Sequence, residues 1–183
     1  MKIIVATQNK HKLREIRQIL KGAKVKGQVA RAKETGKTFE ENAIKKAKAI
    51  RLKEGEIAIA DDSGLMVDCL GGKPGVRSAR FAYPPTTENM CRKLLRVMRL
   101  RCANRRAKFV CAIAMIYPSG KVRTVKGICH GRIIHEMRGK YGFGYDPVFV
   151  PKGYKKTFAQ MRPAMKNRLS HRAKALRKLK SII

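Results

Sequence analysis

The chain has 183 residues, 44% of them apolar, enough for one well-buried domain, and no run of about 18 apolar residues that would predict a membrane span. The apolar run Ile3-Ile4-Val5 is too short for a signal-peptide core. Lys and Arg number 44 against 12 Asp and Glu, a formal net charge of +32. That imbalance has three readings: phosphate contacts with nucleic acid, a field that attracts a small anionic substrate, or a surface stripped of acids with little functional meaning.

Lys2 to Ala6 predicts a buried strand, followed by a polar turn, Thr7-Gln8-Asn9-Lys10-His11-Lys12. A helix follows to about Lys21, with Asn9 as N-cap and Leu13, Ile16, Ile19 and Leu20 at helical spacing. A turn at Gly36-Lys37 leads into a second helix, Phe39 to about Lys53. Ile57 to Ala60 reads as a short strand ending on Asp61-Asp62. Residues 71–86 are a Gly/Pro-rich loop, and Thr87 to about Leu100 is a third helix. Ala107–Tyr117 and Val122–Ile134 predict a long hairpin about Pro118-Ser119-Gly120. A Gly-rich loop over 139–147 precedes a basic C-terminal helix ending near Lys180. Strands mixed with helices indicate an α/β protein with a mixed sheet and flanking helices, a single domain over residues 1–183.

Five cysteines without a CxxC pair read as reduced thiols in a cytoplasmic protein, and the four histidines form no HExxH zinc pattern. The acids are more informative. A strand end carrying two adjacent carboxylates needs compensation, which a hard cation such as Mg2+ supplies; the alternative is an Asp-rich turn. Thr38 and Glu41 have the spacing of a capping box, and Glu41 is also a candidate magnesium ligand. The turn Thr7–Lys12 offers a helix N-terminus, polar donors and cations for phosphate, or is a plain capped helix. In Gly142-Phe143-Gly144-Tyr145-Asp146-Pro147 the rings can stack on a base and Asp146 can accept from base or ribose, or the segment is a turn with core aromatics. Lys166 and His171 on one continuous helix stand about 140° apart, so a shared ligand requires a break, with Ser170 capping a final helix that starts at His171-Arg172.

Together the stretches ATQNKHK (6–12), GKTFEENA (36–43), ADDSGL (60–65), LGGKPGVRSARFA (70–82), FVCAIA (109–114), GFGYDPVF (142–149) and SHRAKAL (170–176) resemble the inosine triphosphate pyrophosphatase, or Ham1-like, family. The resemblance implies an elongated mixed sheet with two lobes around a central nucleotide-binding cleft, and a homodimer. It implies hydrolysis of non-canonical purine nucleoside triphosphates (ITP, dITP, XTP) to monophosphate and pyrophosphate, with Mg2+, by water attack on the α-phosphorus. Carried over by position, Thr7, Gln8, Asn9, Lys10, His11 and Lys12 would hold the triphosphate. Glu41 and Asp62 would serve the magnesium, Asp62 would accept the proton of the attacking water, and Ser63 would contact substrate. Phe143, Gly144, Tyr145, Asp146, Lys166, His171 and Arg172 would contact nucleotide and base. The related Maf-like pyrophosphatases fit less well, since GFGYDP and SHR speak against them. The chain departs from the family in charge: around 123–136 and 160–168, where relatives carry several acids, it reads RTVKGICHGRIIHE and QMRPAMKNR. A basic nucleic-acid-binding protein on the same scaffold, with little or no catalysis, is the competing reading.

Overall fold

A computed structural model describes residues 2–182. Six strands form one sheet in the order β2-β1-β3-β4-β5-β6. In chain order the elements are β1 Lys2–Ala6, α1 Lys10–Ile19, β2 Lys24–Gln28, α2 Phe39–Lys48, β3 Glu56–Val67, α3 Thr87–Arg101, β4 Arg106–Ile116, β5 Val122–Ile133, β6 Phe149–Pro151, α4 Pro163–Leu169 and α5 His171–Lys180. The mixed α/β architecture with flanking helices is the one expected from the sequence.

The chain divides into two compact units: Met1–Ser63 with Cys111–Gly127 and His171–Ile183, and Gly64–Val110 with Ile128–Ser170. In the first unit β1 lies parallel to both β2 and β3, with Val5 opposite Gly27 and Ile59. Parallel neighbours need crossovers, which α1 and α2 supply. The two crossovers leave β1 and β2 in opposite lateral directions, so right-handed connections put α1 and α2 on opposite faces. The core divides accordingly. Ile3, Val5, Ile57, Ile59, Ile113 and Met115 pack with Ile16 and Leu20 of α1 and Leu176 and Leu179 of α5. Ile4, Ala6, Ala58, Ala60 and Ala114 pack with Ala43, Ala47 and Ile50 on the α2 side. This is the period-two alternation of each strand made visible.

The second unit has its own core. Met90, Cys91, Leu94 and Met98 recur at helical spacing on α3 and pack with Leu65, Val67, Phe109, Phe149 and Phe158. The Phe109 and Phe149 rings meet edge-on with centroids 4.7 Å apart.

Four expectations need correction. β3 does not stop at Ala60 but runs through Asp61-Asp62 to Val67, because cations and an amide compensate both carboxylates where they stand. α2 ends at Lys48 rather than near Lys53; Ala49 and Ile50 donate back three residues, tightening the last turn and burying Ile50. The Gly/Pro-rich loop contains a 3-10 turn, Gly75–Arg80. The five cysteines are not all reduced: Cys69 and Cys102 form a disulfide, while Cys91, Cys111 and Cys129 are free and buried. Cys102 caps the C-terminal end of α3 and Cys69 lies in the 3-10 turn Asp68–Leu70. Their 33-residue separation carries no local signature, so a count of cysteines could not pair them. The expected break before the final helix is present: Ser170 is extended (φ −64°, ψ 157°) between α4 and α5.

Candidate functional site

The first unit gathers its charged side chains where the parallel strands end. β1 stops at Ala6 and β2 at Gln28, its register partner, and the Thr7 N–H donates to Gln28 O at 3.1 Å. β3 continues past them, so Asp61 and Asp62 emerge beside the loops after β1 and β2. Carboxyl ends of parallel strands are where open α/β sheets bind ligands.

Adjacent residues of a strand project to opposite faces, and the two aspartates take different surroundings accordingly. Asp61, 2% exposed, meets the α1 and α5 side. Its Oδ2 lies 3.1 Å from Lys12 Nζ and accepts from Arg172 Nη2 at 2.9 Å and Nε at 3.2 Å, and from Ser63 Oγ at 3.1 Å. Arg172 is itself buried and also pairs with Glu15. Burial alone would raise the Asp61 carboxyl, but Lys12, Arg172 and Lys46 outweigh it and hold the group far below the usual carboxylate range. Asp61 Oδ1 is buried without a hydrogen-bond partner.

Asp62, 6% exposed, meets the α2 side. Its Oδ1 lies 2.9 Å from Lys46 Nζ, and its Oδ2 accepts from Asn42 Nδ2 at 3.2 Å. The fully buried Asn42 is fixed in turn by the Gly36 N–H, which donates to its Oδ1 at 2.8 Å. Lys46 is shared with Glu34 at 2.9 Å. Burial pushes the Asp62 carboxyl above its usual range, and Lys46 pulls it only part of the way back. One aspartate is thus locked as an anion and its neighbour is tuned toward accepting a proton.

The expected phosphate turn is more occupied than its sequence implied. Asn9 Oδ1 accepts from the N–H groups of His11 (2.9 Å) and Lys12 (3.1 Å), and Thr7 Oγ1 accepts from Asn9 N–H. Gln8, Lys10 and His11 are exposed. Glu41 is exposed at the start of α2; its N–H donates to Thr38 Oγ1, and its Oε2 accepts from Lys37 N–H at 2.8 Å rather than from Thr38. Among the described residues no three His, Cys, Asp or Glu side chains cluster as a metal site.

The second unit holds the other expected cluster. Lys166 Nζ lies 2.6 Å from Asp146 Oδ2, and both residues are nearly fully buried. The same oxygen accepts from Phe143 N–H at 2.8 Å, and the Lys166 ammonium stands 4.7 Å from the Phe143 ring centroid. A Cβ on Gly142 would come within 2.0 Å of Asp146 Oδ2, and its φ of 78° suits glycine alone, so the loop depends on that residue. Gly144 N–H donates to Thr87 Oγ1 at 3.0 Å. Tyr145 is a core residue whose hydroxyl donates to Ser78 O at 2.9 Å, which leaves Phe143 as the half-exposed ring of the loop. His171 is buried at the first turn of α5, in the first unit.

The model of the Ham1 family matches residues 3–182. The chain belongs to the Ham1 family. A dITP/XTP pyrophosphatase of Desulforamulus reducens is 44% identical to it, covering 100% of this chain and 96% of the relative. Another of that name, from Bacillus subtilis, is 43% identical over 98% and 96% of the two chains. Among solved structures, the Ham1 protein of Staphylococcus aureus superposes with a TM-score of 0.87 at 37% identity, covering 100% and 97%. A HAM1 protein from Coxiella burnetii gives 0.88 at 36%, covering 100% and 98%.

In this Ham1-family chain, sequence reasoning missed Asn42, Lys46, Glu15 and the anionic role of Asp61. Asn42 and Lys46 lie three and seven residues after Phe39 on one face of α2, which also presents Ala43 and Ala47 to the core. Two polar residues interrupting an apolar stripe were the available signal.

Proposed function

We propose that the chain hydrolyses non-canonical purine nucleoside triphosphates of the dITP, XTP and ITP kind to monophosphate and pyrophosphate, with water attacking the α-phosphorus. The observation that carries this reading is Asp62: a buried carboxylate, fixed by Asn42 and Lys46 and raised above its usual range, at the carboxyl ends of parallel strands. The names of relatives up to 44% identical over the whole chain support the substrate class.

In this reading Asp62 accepts the proton of the attacking water, which its raised pKa favours. Asn42 and Lys46 hold the acceptor still. Lys12 and the exposed cations of the Thr7–Lys12 turn compensate the phosphates and the pyrophosphate leaving group. Ser63 and Arg172, bonded to each other and both to Asp61, brace the strand from its other face. Asp62 and Glu41 would hold Mg2+. Two carboxylates suit a hard cation, since magnesium needs only one or two protein carboxylates when phosphates and waters supply the rest. Bound there, magnesium offsets negative charge on the phosphates and acidifies water. Phe143, Asp146 and Lys166 would recognise the base, with His171 contacting the nucleotide. The Lys166 ammonium only donates, which suits a 6-oxo group and offers nothing to adenine's 6-amino group.

The deciding assay is pyrophosphate release from dITP, XTP, ITP, ATP and GTP, with and without magnesium. Magnesium-dependent release from the oxo-purines well above ATP is expected; equal release from ATP would refute the selectivity. Homodimerisation belongs to the same reading and is checked by light scattering. No helix among the described residues is long and apolar enough to cross a membrane. A cytoplasmic location is proposed from the activity alone, since the Cys69–Cys102 bond removes the support that five reduced thiols would have given it.

A further inference from the structure

The outer face of the second unit's strands carries charge that the nucleotide site does not use. Residues 107, 109, 129 and 133 turn inward to the core. Their alternates, Arg106 and Lys108 on β4 and His130 and Arg132 on β5, therefore face outward, and they line a cavity of about 700 Å³ together with Lys152 and Tyr154. Asp68, 3.9 Å from Arg106, is the sole carboxylate lining it among the described residues. Tyr154 also lines a second cavity of about 420 Å³, shared with Tyr141, Lys155, Lys156, Arg162 and Met165. Tyr154 and Tyr141 are 37% and 41% exposed.

We propose that these two cavities, joined at Tyr154, form a groove that binds single-stranded nucleic acid. Cations at alternate strand positions stand roughly 6.7 Å apart, with neighbouring strands about 4.8 Å away. That spacing is comparable with the step between successive phosphates of an extended strand. Basic grooves with interleaved exposed rings bind single strands, because the charges follow the backbone while bases stack on the rings. A duplex hides its base faces and would leave both tyrosines unused. An interfacial membrane helix gathers its apolar groups on one face, whereas here the rings alternate with cations across strands and loops. None of the lining residues belongs to the Asp146–Lys166 cluster or to the aspartate site.

The test is fluorescence anisotropy of the full chain in EDTA, with a labelled 12-nucleotide oligouridylate, a 12-base-pair duplex and polyglutamate as competitor. Oligouridylate is expected to bind tightest, with a log–log salt slope of about −3 to −5 at about 0.7 per neutralised phosphate. Arg106→Gln with Arg132→Gln should flatten that slope by about 1.4. Tyr154→Ala should weaken binding about ten-fold while Tyr154→Phe keeps it, with dITP hydrolysis unchanged in both. As a control for bulk charge, Arg14→Gln with Lys178→Gln, exposed in the first unit, should change affinity less than two-fold. Equal loss in the control pair, tighter duplex binding, equal competition by polyglutamate, or indifference to Tyr154→Ala would each overturn the proposal.

Discussion

Asp61 and Asp62 are neighbours in sequence with opposite physical assignments, and substitution separates them. Asp62→Asn keeps the shape and one acceptor oxygen, enough for Lys46 or Asn42, and removes a charge that burial disfavours, so the fold should survive. Turnover should fall about 10²–10⁴-fold, the usual contribution of a positioned base. Normal pyrophosphate release from that variant would refute the assignment. Asp61→Asn should instead destabilise the protein by about 3–5 kcal/mol, because it strips the buried Arg172 of a counter-ion. The pH dependence follows from the shifts. The Asp61 carboxyl is depressed in the folded state, so the unfolded chain binds its proton first. Its stabilisation is present above the ordinary Asp range and is lost as pH falls toward the lower folded value. Asp62, raised, works with the opposite sign: in the window between its unfolded and folded values the native state holds the extra proton, so stability declines as pH rises. Urea titrations between pH 2 and 6 should therefore show Asp61→Asn losing the steep acid limb of the wild-type profile. At this scale the sequence already offered Asp62 and Lys166 as candidates, since carboxylate pairs and motif lysines are visible as letters. It concealed Asn42 and Lys46, whose meaning depends on which face of α2 meets β3.

Elements were legible wherever local pattern and burial agree. β1, α1, α3 and the β4–β5 hairpin follow from apolar periodicity and from caps or turn residues. β2 escaped notice because Lys-Val-Lys-Gly-Gln has a single apolar side chain; it is an edge strand, where lysines are common and pairing with β1 does the ordering. β6 is three buried residues ordered by pairing with β5, too short for any periodicity. Contact between elements also sets the role of Gly127 on β5. A Cβ there would lie 2.1 Å from His171 O and 2.4 Å from Ala175 N, both backbone atoms of α5 that cannot swing aside. Gly127→Ala should therefore lever α5 off the strand and cost about 1–3 kcal/mol or more in urea unfolding. A variant as stable as the parent would mean that α5 has room to move.

For the whole molecule, charge and cysteine chemistry make the clearest forecast. Burial pushes the Cys91 and Cys111 thiols up to about 12, with Asp146 and Asp61 adding to it respectively, and Cys129 is buried as well. The native protein at pH 8 should show no fast-reacting thiol. Three should titrate after unfolding without reductant, and five after reduction. Five thiols without reductant would contradict the Cys69–Cys102 bond. Reducing that bond should lower stability by about 2–4 kcal/mol, the usual effect of closing a loop of this length.

Composition, strand and helix periodicity and the order of the motifs settled the fold class and the family of this chain from the letters alone, because those signals are local and repeat along it. The tertiary structure decided what each charge does. Whether a carboxylate is locked as an anion or tuned as a base, and whether two cysteines 33 residues apart are bonded, depends on neighbours distant in sequence and on the water they exclude.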